Sequence, residues 1–140
     1  MSAQFTTTRR VEFADTDMAG IIHFTSYYQY MEQAEHEFFR SKGLSIMLPH
    51  DENTVIGWPR VSCKCTFEAP VRFEDELEIR LDVERRGVKS LTFVFEFWHD
   101  GKRVAHGRTK TACCLCRHGK PPESIKIPAE FDCIQEAEVS

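Results

Sequence analysis

Apolar and polar residues alternate one by one over three long stretches of this chain. In RVSCKCTFEA (60–69), Val61, Cys63, Cys65 and Phe67 fall on one face, and Ser62, Lys64, Thr66 and Glu68 on the other. In ELEIRLDVER (76–85), Leu77, Ile79, Leu81 and Val83 alternate with charged residues, and in SLTFVFEFW (90–98) the stripe is Leu91, Phe93, Phe95 and Phe97. Successive strand side chains point to opposite faces, so a period of two with one apolar face predicts half-buried antiparallel strands. Asp100-Gly101 predicts a tight hairpin into a further strand through KRVAHGRTKTACCLC. Gly87 and the Ala69-Pro70 region punctuate the other junctions, and FTTTRRVEF supplies a fifth strand.

One segment follows a different period. From Thr25 to Ser41, Tyr27, Tyr28, Met31, Ala34, Phe38 and Phe39 recur at helical spacing, while Glu32, Glu35, Glu37 and Arg40 make the other face polar. Thr25 or Ser26 is the expected N-cap, and Gly43 stands where a helix-ending glycine belongs. So broad an aromatic stripe needs an extended surface to lie on, which a curved sheet provides. The expected fold class is α+β: one long helix packed on a curved five-stranded antiparallel sheet. No repeat or linker divides the 140 residues, so residues 1–140 are expected to form a single domain. One helix cannot cover both faces and both edges of such a sheet. Val94 and Trp98 make part of the uncovered face apolar, and unpaired edges invite association, so a homodimer with a continuous sheet is expected.

Composition narrows the partners. With 22 acidic against 18 basic residues the net charge is −4, which argues against nucleic acid, whose partners are usually basic. A hydrophobic fraction of 41% with eleven Phe is enough for a core and excludes disorder. No apolar run is long enough to span a bilayer, and MSAQFTTTRRVEF lacks the apolar centre of a signal peptide, so a soluble cytoplasmic protein is expected. In that reducing compartment the six cysteines read as small apolar side chains. The spacing of Cys63/Cys65 and Cys113/Cys114/Cys116 does not fit zinc and the six histidines are scattered, so no metal is expected.

Candidate chemistry is concentrated between the first strand and the helix, in VEFADTDMAGIIHFTSYYQYMEQAE. Asp15 and Asp17 stand just before Gly20 and the helix start. Free N–H groups and a partial positive charge at a helix N-terminus stabilise a developing oxyanion. A carboxylate beside it can attack a carbonyl or deprotonate water, and Gly20 leaves room for a ligand to approach the backbone. Asp-Thr-Asp before a helix is equally ordinary turn and capping chemistry, and spacing does not decide between the two.

The segment EFADTDMAGIIHFTSYYQYMEQA resembles the signature of acyl-CoA thioesterases of the 4-hydroxybenzoyl-CoA thioesterase type, members of the hotdog-fold superfamily. The likeness continues through PRVSCKCTFEAPVRFEDELEIRLDV and VKSLTFVFEF to SIKIPAEF, nearly the whole chain. It implies a hotdog fold, a long helix wrapped by an antiparallel sheet. It further implies hydrolysis of an acyl-CoA to a carboxylic acid and free CoA, without a cofactor, since CoA is part of the substrate. Asp17 matches the family's catalytic aspartate, as nucleophile or general base, and Asp15 matches a position read as a turn former. The polarising backbone N–H maps to Phe24. Where relatives carry a tyrosine followed by histidine or tyrosine, this chain has His23-Phe24, so His23 is read as a packing or hydrogen-bonding residue. Arg85, Arg86, Lys89 and Ser90 surround the Gly87 turn where the resemblance places CoA contacts; a solvated basic turn is the plainer meaning. An acyl pocket between subunits would involve His23, Tyr27 and Trp58. Aromatic, aliphatic and naphthoyl-type acyl groups all stay open, as do homodimer and homotetramer. A non-catalytic acyl-CoA or acyl-carrier binding module is the alternative of a different class. A hotdog dehydratase or hydratase would need an acid–histidine pair, for which only His23 beside Asp17 is on offer.

Overall fold

The computed structural model describes residues 2–138. Five antiparallel strands form the main sheet in the order β1-β5-β6-β7-β4: β1 (Phe5–Arg10), β4 (Arg60–Phe67), β5 (Glu76–Arg86), β6 (Ser90–His99) and β7 (Lys102–Ala112). One helix, α1 (Phe24–Ser41), lies across it. This is the α+β hotdog arrangement. A smaller sheet in the order β2-β3-β8-β9, from β2 (Met47–Asp51), β3 (Thr54–Gly57), β8 (Cys114–Arg117) and β9 (Glu123–Ser124), extends it. The two sheets are joined where Pro59 O accepts from Ala112 N at 3.0 Å, beside the breaks at Pro59 and Cys113. The strand anticipated as one run through CCLC is therefore two, and β2 and β3 carried too little alternation to be foreseen.

The apolar stripes of β5 and β6 face the helix. Leu77, Ile79, Leu81, Val83, Leu91, Phe93, Phe95 and Phe97 are buried with Tyr27, Tyr30, Met31, Ala34, Phe38 and Phe39. Gly107 sets how closely helix and sheet approach, for a Cβ there would lie 2.4 Å from Met31 Sδ and 2.9 Å from the Lys64 carbonyl. The hairpin at Asp100-Gly101 has positive φ at both residues, the conformation that a two-residue turn between twisted strands demands. At the helix C-terminus Leu44 N–H donates to Phe39 O (2.9 Å) and Gly43 N–H to Arg40 O (3.0 Å), with Gly43 at φ +74°, the two bonds of a Schellman motif.

Three expectations are corrected. The helix begins at Phe24, one residue ahead of the foreseen start, and its N-cap is His23, not Thr25 or Ser26. Glu35, assigned to the polar face, is 1% exposed, because Arg60 at the start of β4 reaches over it. On β4, Val61, at the break in pairing between Arg60 and Ser62, and Phe67, which packs on Tyr27 of the helix, are 61% and 48% exposed, because β4 is an edge strand with no neighbour on its outer side among the described residues. Of the cysteines, Cys113 and Cys114 are buried, Cys65 and Cys116 partly so, and Cys63 and Cys133 exposed; all six are free thiols. Burial pushes the Cys65 and Cys113 thiols up to about 12, which keeps them protonated and unreactive at neutral pH. Among the described residues no helix is long and apolar enough to cross a membrane.

Candidate active site

The segment between β1 and α1 is held by Asp15. Its carboxylate Oδ2 accepts from Glu12 N–H (2.9 Å) and from the Tyr30 hydroxyl (2.8 Å), and its carbonyl accepts from His23 N–H (2.7 Å) and the Ser26 hydroxyl (3.1 Å). Asp15 thus ties the 3₁₀ turn Phe13–Asp15 to the first turn of the helix. Burial, and then its bond to Asp15, raises the Tyr30 hydroxyl well above its ordinary range, so it stays a donor.

Two residues on, the chain turns tightly at Asp17. Asp17 N–H donates to Ile21 O (2.9 Å), Gly20 N–H to Asp17 O (3.0 Å), and Ala19 N–H to Asp17 Oδ1 (2.8 Å). Gly20 sits at φ +79° with nothing within 4 Å of a built Cβ, so the turn's backbone, and not crowding, calls for glycine. One carboxylate oxygen of Asp17 is fixed by the turn; the other has no hydrogen bond among the described residues.

The first turn of α1 faces this carboxylate's loop. Its amides have distinct fates: His23 N–H goes to Asp15 O, Thr25 N–H to the His23 ring (3.1 Å), and Ser26 N–H to His23 O (2.9 Å). Among the described residues, Phe24 N–H donates to nothing. A cavity of about 400 Å³ is lined by Asp17, Ile21, Ile22, Phe24, Tyr27, Phe67, Glu68, Ala69 and Pro70. Its walls are mostly apolar and aromatic. Tyr27 packs edge-on to Phe97 (4.9 Å) and tilted to Phe67 (5.3 Å). The Tyr27 hydroxyl is buried without a partner among the described residues, and burial holds it far above a phenol's usual range. A carboxylate, a free amide and an apolar wall together suit attack on a polarised carbonyl.

The structure brings Asp17, Phe24 and Tyr27 together, with Gly20 in the loop that carries Asp17. His23 adjoins the site without lining the cavity; its ring stacks on Phe24 at 4.7 Å. Trp58 lies elsewhere, packed on Phe39 (5.8 Å) and Phe131 (5.2 Å) toward the helix C-terminus. The basic turn is also remote in one chain. Phe67 and Phe97 both pair with Ala105, whereas Leu91 and Arg60 pair with Thr111. Six residues of strand, about 20 Å, separate those two ends. At that turn Arg85 and Lys89 are exposed, and Ser90 closes it by accepting Gly87 N–H on its carbonyl (2.9 Å). Arg86 is already engaged: Nη1 donates to the carbonyls of Phe131 (2.6 Å) and Ile134 (2.7 Å), and Nη2 lies 3.5 Å from Asp132 Oδ1. Its fork pins the C-terminal tail.

Phe67, Glu68 and Pro70 of the cavity were not foreseen as site residues. They belong to the end of β4 and the loop after it, which the sequence places 50 residues from Asp17, and the bridge between Ile21 and Arg72 is what brings that loop to the site. Glu68 accepts both prongs of Arg103 (2.8 and 3.0 Å), which, with His106, holds its carboxyl below the ordinary range. It remains an anion at the cavity rim.

The model of the thioesterase-like superfamily matches residues 11–132. The chain is 31% identical to a 4-hydroxybenzoyl-CoA thioesterase from Pseudomonas sp. (strain CBS-3) over 94% of its own length and 96% of the relative's. It is 37% identical to a 1,4-dihydroxy-2-naphthoyl-CoA hydrolase from Synechococcus sp. (strain CC9605), over 71% of this chain and 69% of that one. Among solved structures, a gentisyl-coenzyme A thioesterase superposes with a TM-score of 0.77 at 27% identity, covering 93% of this chain and 98% of the other.

Proposed function

This chain belongs to the thioesterase-like superfamily and is a thioester hydrolase, and from that premise we propose that it hydrolyses an aromatic acyl-CoA with Asp17 and the Phe24 amide as its reacting groups. Asp17 acts as nucleophile, through a mixed anhydride, or as general base toward water. Phe24 N–H, with the positive end of the helix behind it, receives the oxyanion of the thioester carbonyl. The observation that carries this is the shared cavity: Asp17 lines it together with Phe24, whose N–H has no acceptor among the described residues. Its aromatic walls favour an aryl acyl group, as do the hydroxyaryl thioesters in the relatives' names.

The remaining parts come from a second copy. The β4 edge carries unpaired backbone groups with Val61 and Phe67 exposed beside them, a template for strand pairing. Antiparallel pairing of β4 with β4 of a second chain sets the Arg60 end of one copy against the Phe67 end of the other. That closes the open side of the cavity and carries the 85–90 turn of one copy toward the site of its partner. Arg85 and Lys89, exposed at that turn, are the cations for the CoA phosphates; Arg86 is not. Arg85→Ala should raise KM for an acyl-CoA several-fold with kcat little changed, whereas Arg86→Ala should lower the melting temperature instead. An unchanged KM in Arg85→Ala removes it from the site.

A thiol-release assay over benzoyl-, 4-hydroxybenzoyl- and straight-chain acyl-CoAs tests the whole reading. Turnover of the aryl substrates at the highest kcat/KM is expected. Ligand-dependent thermal protection with no thiol release across the panel would identify a binding module instead.

A further inference from the structure

Short oxygen-bearing side chains dominate helix N-caps, because a small acceptor reaches the second or third amide without strain. Here the acceptor is an imidazole. His23 Nδ1 receives Thr25 N–H at 3.1 Å and lies 2.7 Å from Thr25 Oγ1. An amide can only donate, so Nδ1 offers its lone pair and the ring proton belongs on Nε2. The ring is fixed on its other side by stacking on Phe24, centroids 4.7 Å apart and planes 26° apart. Through its main chain the same residue donates to Asp15 O (2.7 Å) and accepts Ser26 N–H (2.9 Å). His23 therefore engages every amide of the helix start except that of Phe24.

We propose that His23 is a positioning residue for thioester hydrolysis: its neutral imidazole holds the first turn so that Phe24 N–H alone is left facing the reacting oxygen. This rests on the reading of Asp17 and Phe24 given above. Without the cap, Thr25 N–H must find another acceptor, and the first turn frays or rotates to supply one. The Phe24 amide then loses its direction, while the apolar walls that bind the acyl group stay in place. The loss falls on the transition state and not on binding.

The test is steady-state thiol release from benzoyl-CoA by wild type, His23→Ala and His23→Asn, with circular dichroism confirming that each variant is folded. His23→Ala should lose kcat by roughly 10- to 100-fold with KM within about twofold, part of what deleting an oxyanion donor costs. His23→Asn, whose side-chain oxygen can accept the same amide, should recover kcat to within about threefold of wild type. Wild-type kcat in His23→Ala would overturn the proposal. So would a loss that Asn does not recover, which would give the imidazole a chemical role of its own, or a KM that rises as kcat falls. If the wild type releases no thiol from any acyl-CoA, the functional reading fails and the cap is judged separately by amide hydrogen exchange. Exchange at Phe24 and Thr25 should then be faster in His23→Ala than in His23→Asn, and equal rates would dismiss the cap.

Discussion

Asp17→Asn should lower kcat for acyl-CoA hydrolysis by about 10²–10⁴-fold while leaving the melting temperature nearly unchanged, since a carboxylate serving as base or nucleophile contributes on that order. The substitution is well suited to the question because of what Asp17 does locally. Its Oδ1 accepts Ala19 N–H at 2.8 Å, and an asparagine side-chain oxygen can accept the same bond, so the turn and Gly20 keep their geometry. What disappears is the charge on the oxygen that has no hydrogen bond among the described residues. Activity lost without stability lost therefore isolates the chemistry, and full activity in Asp17→Asn would end the assignment. A single turnover in ¹⁸O-water separates the two routes when the anhydride is opened at the enzyme carbonyl, for that places label in the Asp17 carboxylate. By contrast, Asp15→Asn should cost stability, because both Glu12 N–H and the Tyr30 hydroxyl depend on the Asp15 carboxylate.

The second large effect concerns stability and pH. The Glu35 carboxyl is 1% exposed, with Arg60 Nη2 3.1 Å from Oε1, and Oε2 buried without a partner among the described residues. Burial, only partly offset by Arg60, raises its pKa from 4.5 to about 7. Between those two values the folded protein holds a proton that the unfolded chain releases. Unfolding then releases a proton, so the contribution of Glu35 to stability falls as pH rises from about 4.5 to about 7 and is flat outside that window. At about 1.4 kcal/mol per pH unit the loss is about 3 kcal/mol. Glu35→Gln keeps the shape and removes the charge. Urea unfolding from pH 4 to pH 8 should show the variant gaining about 3 kcal/mol on wild type over that range. A constant difference between the two proteins would show that Glu35 ionises in the fold as it does in the unfolded chain.

Glu35 also marks the boundary of what could be read from the chain. At helical spacing it falls with Glu32 and Glu37 on a polar face, and only the tertiary packing, with Arg60 arriving from β4, buries its carboxyl. Arg86 makes the same point in reverse. Beside Arg85 and Lys89 it reads as part of a phosphate-binding cluster, yet carbonyls 45 and 48 residues away occupy its fork.

Everything whose cause lies within a few residues was legible in the chain. The period-two stripes of β5 and β6, the Asp100-Gly101 turn, the Gly43 helix stop and the Asp17–Gly20 turn ahead of a helix are all of this kind, because pleat, positive φ and capping are short-range properties of the backbone. Long-range packing set which apolar side chains stay exposed at the sheet edge, as at Val61 and Phe67, and which charges are engaged, as at Glu35 and Arg86. It alone brought Phe67, Glu68 and Pro70 to Asp17 and left Phe24 N–H free. Those outcomes depend on which strand or loop arrives as neighbour, and a side chain's local pattern does not encode what will be packed against it.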